Sequence, residues 1–192
     1  MAQKENENIL EIKDLKVIYK TDLEVVEAVN GLELSIGKGK TLGLVGETGA
    51  GKTTTALSIL RLLPSITGRI LEGEIYFDGE NLLEKSERYM QTVRGNRISM
   101  VFQDPMTSLN PVLTVGEQIA EAVQLHNPDM SKEQVNNRVA FTLNMVGIMP
   151  SRSGEYPHQF SGGMKQRVVI AMALSCEPEL LIADEPTTAL DV

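Results

Sequence analysis

The sequence has no tryptophan, a single cysteine, few aromatic residues of any kind and no long apolar run. Cys176 alone cannot form an intrachain disulfide, so the fold does not depend on one. Because aromatic residues make up 4% of the chain, stacking on nucleic-acid bases is not expected. The longest fully apolar run, residues 168–174, is far shorter than the roughly 20 residues of a membrane-spanning helix. Attachment to a membrane is therefore expected to come through a partner.

Acidic residues outnumber basic ones, 26 to 18, which gives a formal net charge of −8. A protein that binds nucleic acid broadly needs a clustered basic face, so this balance predicts no nucleic-acid partner. The first eight residues are polar where a secretory signal would be apolar, which predicts a cytosolic chain. At 192 residues and 42% hydrophobic, the chain is long enough for one substantial core and a small subdomain.

Residues 46–53 have the spacing of a phosphate-binding loop. The glycines let backbone amides turn toward an anionic phosphate, Lys52 brings a cation to the outer phosphates, and the Thr53 hydroxyl can ligate magnesium. A short buried strand over residues 41–45 and a helix over residues 53–63 are predicted on either side. The sequence thus places this loop between a strand and a helix, which is the context that phosphate binding requires.

An apolar run at residues 180–183 ends in two acids, Asp184 and Glu185. A carboxylate at the end of a buried strand can fix magnesium or its water shell. Since adjacent strand residues point to opposite sides, Asp184 is predicted to face the metal and Glu185 an attacking water, as general base. The alternative is an acidic loop that caps a helix.

Hydrophobic periodicity predicts the remaining elements. Ser131 with Gln134 three residues later forms a capping-box pattern, and Ser161 is a second helix start, with exposed amides at a glycine-rich first turn. Strands are expected over residues 9–19, 28–36, 73–79 and 97–102, and helices over residues 115–125, 132–146 and from Ser161 to Leu174.

Ser161, Gly162, Gly163 and Met164 precede the acidic strand, and Gln103 follows an earlier strand. With the phosphate-binding loop, these residues resemble the nucleotide-binding subunit of an ABC transporter. The resemblance covers residues 1–192 and implies an α/β fold: a P-loop NTPase core of the ABC type, an antiparallel β subdomain and a helical insert at about 104–154. It also implies a C-terminally incomplete domain, because the family's switch histidine has no counterpart before Val192, which leaves hydrolysis by this chain open.

The resemblance assigns the site residue by residue. Glu185, Lys52 and Gln103 would be catalytic, and Thr53, Gln103 and Asp184 would hold Mg²⁺. Tyr19 would stack on adenine; the alternative is an aromatic side chain packed in a strand. Without the resemblance, Gln103 would be interpreted as an amide that caps a loop. The residues expected to contact ATP are Tyr19, Gly46, Glu47, Thr48, Gly49, Ala50, Gly51, Lys52, Thr53, Thr54, Gln103, Ser161, Gly162, Gly163, Met164 and Asp191. Thr54 has a solvent-facing alternative.

In that family the signature, residues 161–164, meets ATP held by the P-loop of a second subunit, and Asp191 would cross the dimer interface. Phe160 and Met164 stand at positions where Leu and Gln are commoner in the family.

Residues 102–111 and 156–164 resemble more narrowly the ATPases of oligopeptide, dipeptide and nickel importers. The implied function is ATP-driven uptake of peptides at the cytoplasmic face of the membrane. Its partners would be transmembrane permease subunits, a second ATPase subunit and, indirectly, an extracytoplasmic binding protein. The alternative is a non-transport ABC protein that uses ATP as a regulatory or nucleic-acid-associated clamp.

Overall fold

The computed structural model describes residues 7–103 and 108–185. The chain divides into two compact units, Met1–Gln91 and Thr92–Val192, and each is described by itself.

The first unit is built on a four-stranded antiparallel sheet, whose strands are β1 (Asn8–Lys20), β2 (Val25–Gly37), β3 (Gly68–Phe77) and β4 (Glu80–Asn81). Their order in the sheet is β2-β1-β3-β4. The core side chains of this sheet are apolar residues at alternating positions, such as Ile75 and Phe77, which are fully buried. A bulge interrupts the β1–β3 ladder where Gly73 has a φ of +107°, and a Cβ there would lie 2.6 Å from the Cα of Leu15. Only glycine fits this close approach.

Helix α1 (Lys52–Ile59) follows the glycine-rich loop and ends earlier than the predicted residue 63. Arg61 adopts a left-handed backbone with a φ of 52°, and the amide of Leu62 donates to the carbonyl of Leu57 at 2.8 Å. This is a Schellman-type helix end, which the sequence does not signal because the left-handed residue is usually glycine. A 3₁₀ turn (Leu82–Glu84) and helix α2 (Glu87–Val93) come after the sheet.

The predicted strand over residues 41–45 is wrong in this structure. Neither of the two described sheets includes these residues, and Leu42, Leu44 and Val45 are exposed by 48%, 45% and 94%. An apolar run becomes a strand only where a neighbouring backbone pairs with it, and that condition is not visible in local sequence.

In its described residues, 92–103 and 108–185, the second unit contains a two-stranded parallel sheet, β5 (Ile98–Val101) with β6 (Leu180–Ala183), and three helices. The helices share one apolar core with Val101 of β5, which includes the fully buried Val115, Ile119, Leu143 and Val168. They are α3 (Val115–His126), α4 (Lys132–Met145) and α5 (Gly162–Leu174), with 3₁₀ turns at Pro150–Gly154 and Pro157–Gln159.

The three predicted helices of this unit are confirmed to within one or two residues. Ser131 caps α4 through the predicted box, since its hydroxyl accepts from the Gln134 amide at 3.3 Å and Gln134 Oε1 accepts from the Ser131 amide at 2.8 Å. Thr114 and Glu117 form a second capping box at the start of α3. The subdomain limits of about 104–154 stay a prediction.

Candidate functional site

The glycine-rich loop of the first unit folds around the Lys52 ammonium. Lys52 Nζ donates to the carbonyls of Gly46 at 2.5 Å and Glu47 at 2.8 Å, and the Ala50 amide donates to the Glu47 carbonyl at 3.1 Å. The loop therefore carries its cation on the inside of a tight turn. A cation held by neutral carbonyls is a suitable partner for an anionic phosphate.

Gly51 closes the loop and begins α1. Its φ is +81°, and an added Cβ would lie 2.3 Å from the carbonyl oxygen of Ala28, so the position accepts only glycine. Since glycine has no side chain with which to cap the helix, the first turn of α1 offers backbone amides and the positive end of the helix dipole. These features, with Lys52, fit a phosphate group.

Tyr19 lies beside the same helix. Its hydroxyl is 3.3 Å from Thr54 Oγ1, and a Cβ added to Gly68, its partner on β3, would lie 3.2 Å from Tyr19 Cε1. Thr54 is 8% exposed, so the solvent-facing alternative for this residue is wrong. The ring is half-buried, and its hydroxyl lies within hydrogen-bond distance of the Thr54 hydroxyl.

In the second unit, the parallel ladder brings Gln103 and Glu185 together. Val101 pairs with Ala183, and the Asp184 amide continues the ladder to the Val101 carbonyl at 3.0 Å. Two residues beyond each strand, Gln103 Nε2 donates a hydrogen bond to Glu185 Oε2. The predicted amide and the predicted general base are therefore direct neighbours.

The two acids lie beyond the end of β6, and Glu185 has a left-handed φ of 47°. The alternation of side chains along the strand therefore extends no further than Asp184. A non-glycine residue in this region costs roughly 1–2 kcal/mol, and such strain is characteristic of functional positions. The assignment of Asp184 to metal and Glu185 to water stays a prediction.

The predicted signature begins α5. Ser161 caps the helix, its hydroxyl accepting from the Met164 amide at 3.4 Å, and Ser161 and Gly162 are exposed. The first turn thus presents a hydroxyl and backbone amides at a positive helix end. Asp191, the remaining predicted residue, lies outside the described residues.

Two polar residues that shape this unit, Gln118 and Arg152, are not predicted from the sequence. Gln118, which is 4% exposed, fixes the chain between Asn110 and Thr114, and Arg152 contacts the segment around the signature. The only local signal for Arg152 was a carboxylate three residues later, at Glu155.

Over the described ranges 7–103 and 108–185, no cluster of three or more His, Cys, Asp or Glu side chains is arranged to hold a metal ion. In the same part of the chain, no helix has the length and apolar character needed to span a membrane.

Comparison with known proteins identifies relatives of this chain. The model of the ABC transporter family matches residues 29–188. The oligopeptide transport ATP-binding protein OppD of Bacillus subtilis is 52% identical over 186 residues, 96% of this chain and 52% of the relative. The dipeptide transport ATP-binding protein DppD of the same organism is 50% identical over 188 residues, 97% of this chain and 56% of the relative. The chain thus spans about half the length of these curated relatives.

Among solved structures, the ATP-binding cassette MJ0796, in a dimeric post-hydrolysis state bound to ADP and Pi, superposes with a TM-score of 0.84. It is 31% identical, and the match covers 95% of this chain and 76% of that one. The predicted fold class, an α/β P-loop core of the ABC type, is confirmed.

Proposed function

This chain belongs to the ABC transporter family, and we propose that it is the ATP-binding subunit of an importer that couples ATP hydrolysis to peptide uptake. The observation that carries the proposal is the loop of residues 46–53, which holds the Lys52 ammonium beside the uncapped start of α1. This arrangement suits the phosphates of a nucleotide. The peptide cargo is supported by relatives whose names refer to oligopeptide and dipeptide transport.

Each predicted side chain has a task in hydrolysis. Lys52 and the loop amides stabilise negative charge on the phosphates, and Tyr19 offers a ring face to adenine. Glu185 accepts the proton of the attacking water, and Gln103, its hydrogen-bond partner, orients that water.

Thr53 of the first unit and Gln103 and Asp184 of the second are the residues expected to hold Mg²⁺, because a hydroxyl, an amide oxygen and a carboxylate are the kinds of donor that the ion takes. When bound, the ion would neutralise phosphate charge and polarise the transferring phosphoryl group.

The partners follow from the family. We expect a second ATPase subunit whose nucleotide meets residues 161–164, with Asp191 at the same interface, and permease subunits that hold the protein at the cytoplasmic face of the membrane. An extracytoplasmic binding protein would deliver the peptide to the permease. No nucleic acid is expected at a net charge of −8, and the names of the relatives favour transport over a regulatory clamp.

The first test measures binding and turnover separately. ATP affinity is measured by isothermal titration calorimetry and phosphate release by a coupled assay, for wild type, Lys52→Ala and Glu185→Gln. We expect Lys52→Ala to lose binding, and Glu185→Gln to retain binding while phosphate release falls at least 100-fold. Equal ATP affinity in wild type and Lys52→Ala would contradict the nucleotide site.

The second test addresses transport. The tagged chain is expressed with permease subunits of an oligopeptide importer and isolated from detergent-solubilised membranes. Co-isolation of the permease, together with ATP-dependent peptide uptake that Lys52→Ala abolishes, is the expected result. Binding of ATP without any association with permease subunits would contradict the importer role.

A further inference from the structure

Arg152 makes an unusually large set of contacts just before the signature. Its Nε and Nη2 atoms donate to the two carboxylate oxygens of Glu155 at 2.9 Å and 2.6 Å. Nη2 also donates to the carbonyl of Gln159 at 3.3 Å, and Nη1 lies 3.4 Å from the sulfur of Met164. The guanidinium carbon is 4.4 Å from the centroid of the Phe160 ring. One side chain thus joins a 3₁₀ turn to the first turn of α5.

Glu155 holds Arg152 in this position. The pair is bidentate, which fixes the plane of the guanidinium. The Glu155 carbonyl accepts from the Val115 amide at 2.9 Å, so the acid is itself tied to the start of α3. The hydrogen bond to Arg152 lowers the pKa of Glu155 below its ordinary value, so the pair stays charged at neutral pH.

The contacts of Arg152 coincide with the two positions where the signature departs from the commoner pattern. Phe160 gives the guanidinium an aromatic face, which a leucine would not. Met164 gives it a polarisable sulfur at the end of a flexible chain. Between these two positions stand Ser161, Gly162 and Gly163, and the first two of these are exposed.

We propose that Arg152 is a positioning residue that holds the signature segment, residues 160–164, in the orientation in which it completes the nucleotide site of a second subunit. The proposal rests on the proposed function, in which residues 161–164 act on ATP bound by the partner chain. In this role Arg152 does not itself contact the nucleotide. It acts by fixing the residues on both sides of the serine and glycines, and a misplacement of about 1 Å at a reacting site can cost about 100-fold in rate.

Arg138 provides a matched control. It is an arginine of the same unit, it pairs with Glu177 at 2.7 Å, and it contacts the Ser175 carbonyl at the far end of α5. Replacing it removes one arginine–carboxylate pair and leaves the contacts of the signature intact.

The first readout is hydrogen–deuterium exchange of residues 160–166 in the isolated chain. We expect Arg152→Met to speed this exchange at least fivefold, Arg152→Lys to speed it less, and Arg138→Met to leave it unchanged. Exchange of residues 135–143 on α4 serves as the check that the unit is folded. Unchanged exchange of residues 160–166 in Arg152→Met, or an equal increase in Arg138→Met, would overturn the proposal.

The second readout separates the chain's own nucleotide site from the site completed by the signature. ATP affinity is measured by calorimetry, and ATP-dependent association by sedimentation in a Glu185→Gln background that retains bound ATP. We expect Arg152→Met to weaken association at least tenfold while ATP affinity changes less than twofold. Arg152→Lys should recover part of the association, and Arg138→Met should match the parent chain.

The outcomes distinguish this proposal from the proposed function. Failure of the parent chain to bind ATP would contradict the nucleotide site. ATP binding without association of the parent chain would contradict the second ATPase subunit of the proposed function. Association that is present in the parent and insensitive to Arg152→Met would overturn the role of Arg152.

Phe160→Leu with Met164→Gln restores the commoner signature and gives an independent check. In that background, Arg152→Met should have a smaller effect on association than in the parent chain, because part of its contact surface is already gone. Equal effects in the two backgrounds would show that Arg152 does not act through Phe160 and Met164.

Discussion

Gln103 donates a hydrogen bond through its side-chain amide to the carboxylate of Glu185, 82 positions later in the chain. The cause is the register of the parallel sheet, in which Val101 pairs with Ala183. Each polar residue lies two positions beyond its strand, so the ladder delivers both side chains to one edge. Because functional residues of parallel sheets collect at the carboxyl ends of the strands, we expect this pair to lie at the functional edge of the second unit.

We expect the Gln103 amide to report on Glu185 directly. In ¹H–¹⁵N spectra, the side-chain NH₂ signals of Gln103, identified by their loss in Gln103→Leu, should shift upfield in Glu185→Leu, because the charged acceptor is removed. The NH₂ signals of Gln134, whose oxygen caps α4, serve as the control and should not move. Gln103 signals that stay in place in Glu185→Leu would contradict the contact.

The Thr54 hydroxyl is expected to support base recognition through Tyr19. Thr54→Val keeps the shape of the side chain and removes the hydroxyl, and Tyr19→Phe removes the other half of the pair. Each should weaken ATP binding roughly twofold to tenfold, in line with one neutral hydrogen bond. The double variant should lose little more than either single one.

Calorimetry with inorganic tripolyphosphate distinguishes this role from direct phosphate binding. If Thr54 acts through the ring, tripolyphosphate affinity stays the same in Thr54→Val and in Tyr19→Phe. If Thr54→Val instead loses as much affinity for tripolyphosphate as for ATP, the hydroxyl contacts the phosphates directly. Thr54→Ser should behave as wild type in both titrations.

Gln118 is expected to be a stability determinant of the second unit. Its buried amide accepts from the Asn110 backbone at 2.8 Å and donates to the carbonyls of Asn110 at 3.0 Å and Leu113 at 3.1 Å. Gln118→Leu leaves these backbone groups without their partner, which costs about 1–3 kcal/mol. Urea denaturation should show a lower midpoint, whereas Gln124→Leu, at an exposed position of α3, should change it little.

Elements specified by neighbouring residues could be predicted from the sequence. The start of α4 needs only Ser131 and Gln134, and the start of α5 needs only Ser161, so local hydrogen bonds determine both. The phosphate-binding loop is equally local, since Lys52 finds its acceptors five and six residues away.

The features that could not be predicted from the sequence depend on contacts between residues that are far apart in the chain. Residues 41–45 have the composition of a strand, yet strand formation is decided by the backbone beside them. Identifying Gln103 as the hydrogen-bond partner of Glu185 requires knowledge of the β5–β6 register. Predicting the contacts of Arg152 requires both its ion pair with Glu155 and the fold that brings Phe160 and Met164 to its guanidinium. A polar residue in a short 3₁₀ turn has no hydrophobic periodicity that would indicate its role.

The capping boxes of α3 and α4 should respond differently to acid. At the start of α3, the backbone amide and hydroxyl of Thr114 donate to the Glu117 carboxylate at 2.7 Å and 2.8 Å, which lowers the pKa of Glu117 from its ordinary value of 4.5. Below pH 4.5 the unfolded chain therefore binds this proton more readily than the folded chain does. The stabilisation is complete above that pH and is lost as the pH falls through the folded pKa.

The neutral box of α4 is the internal control, because the amide of Gln134 does not titrate. Urea denaturation from neutral pH downward should show a stability difference between wild type and Glu117→Gln that is constant above about pH 5 and shrinks below it. The difference between wild type and Ser131→Ala, about 1 kcal/mol for a lost cap, should stay the same throughout. A Glu117→Gln difference that survives undiminished at pH values below 4.5 would show that the Glu117 charge does not stabilise α3.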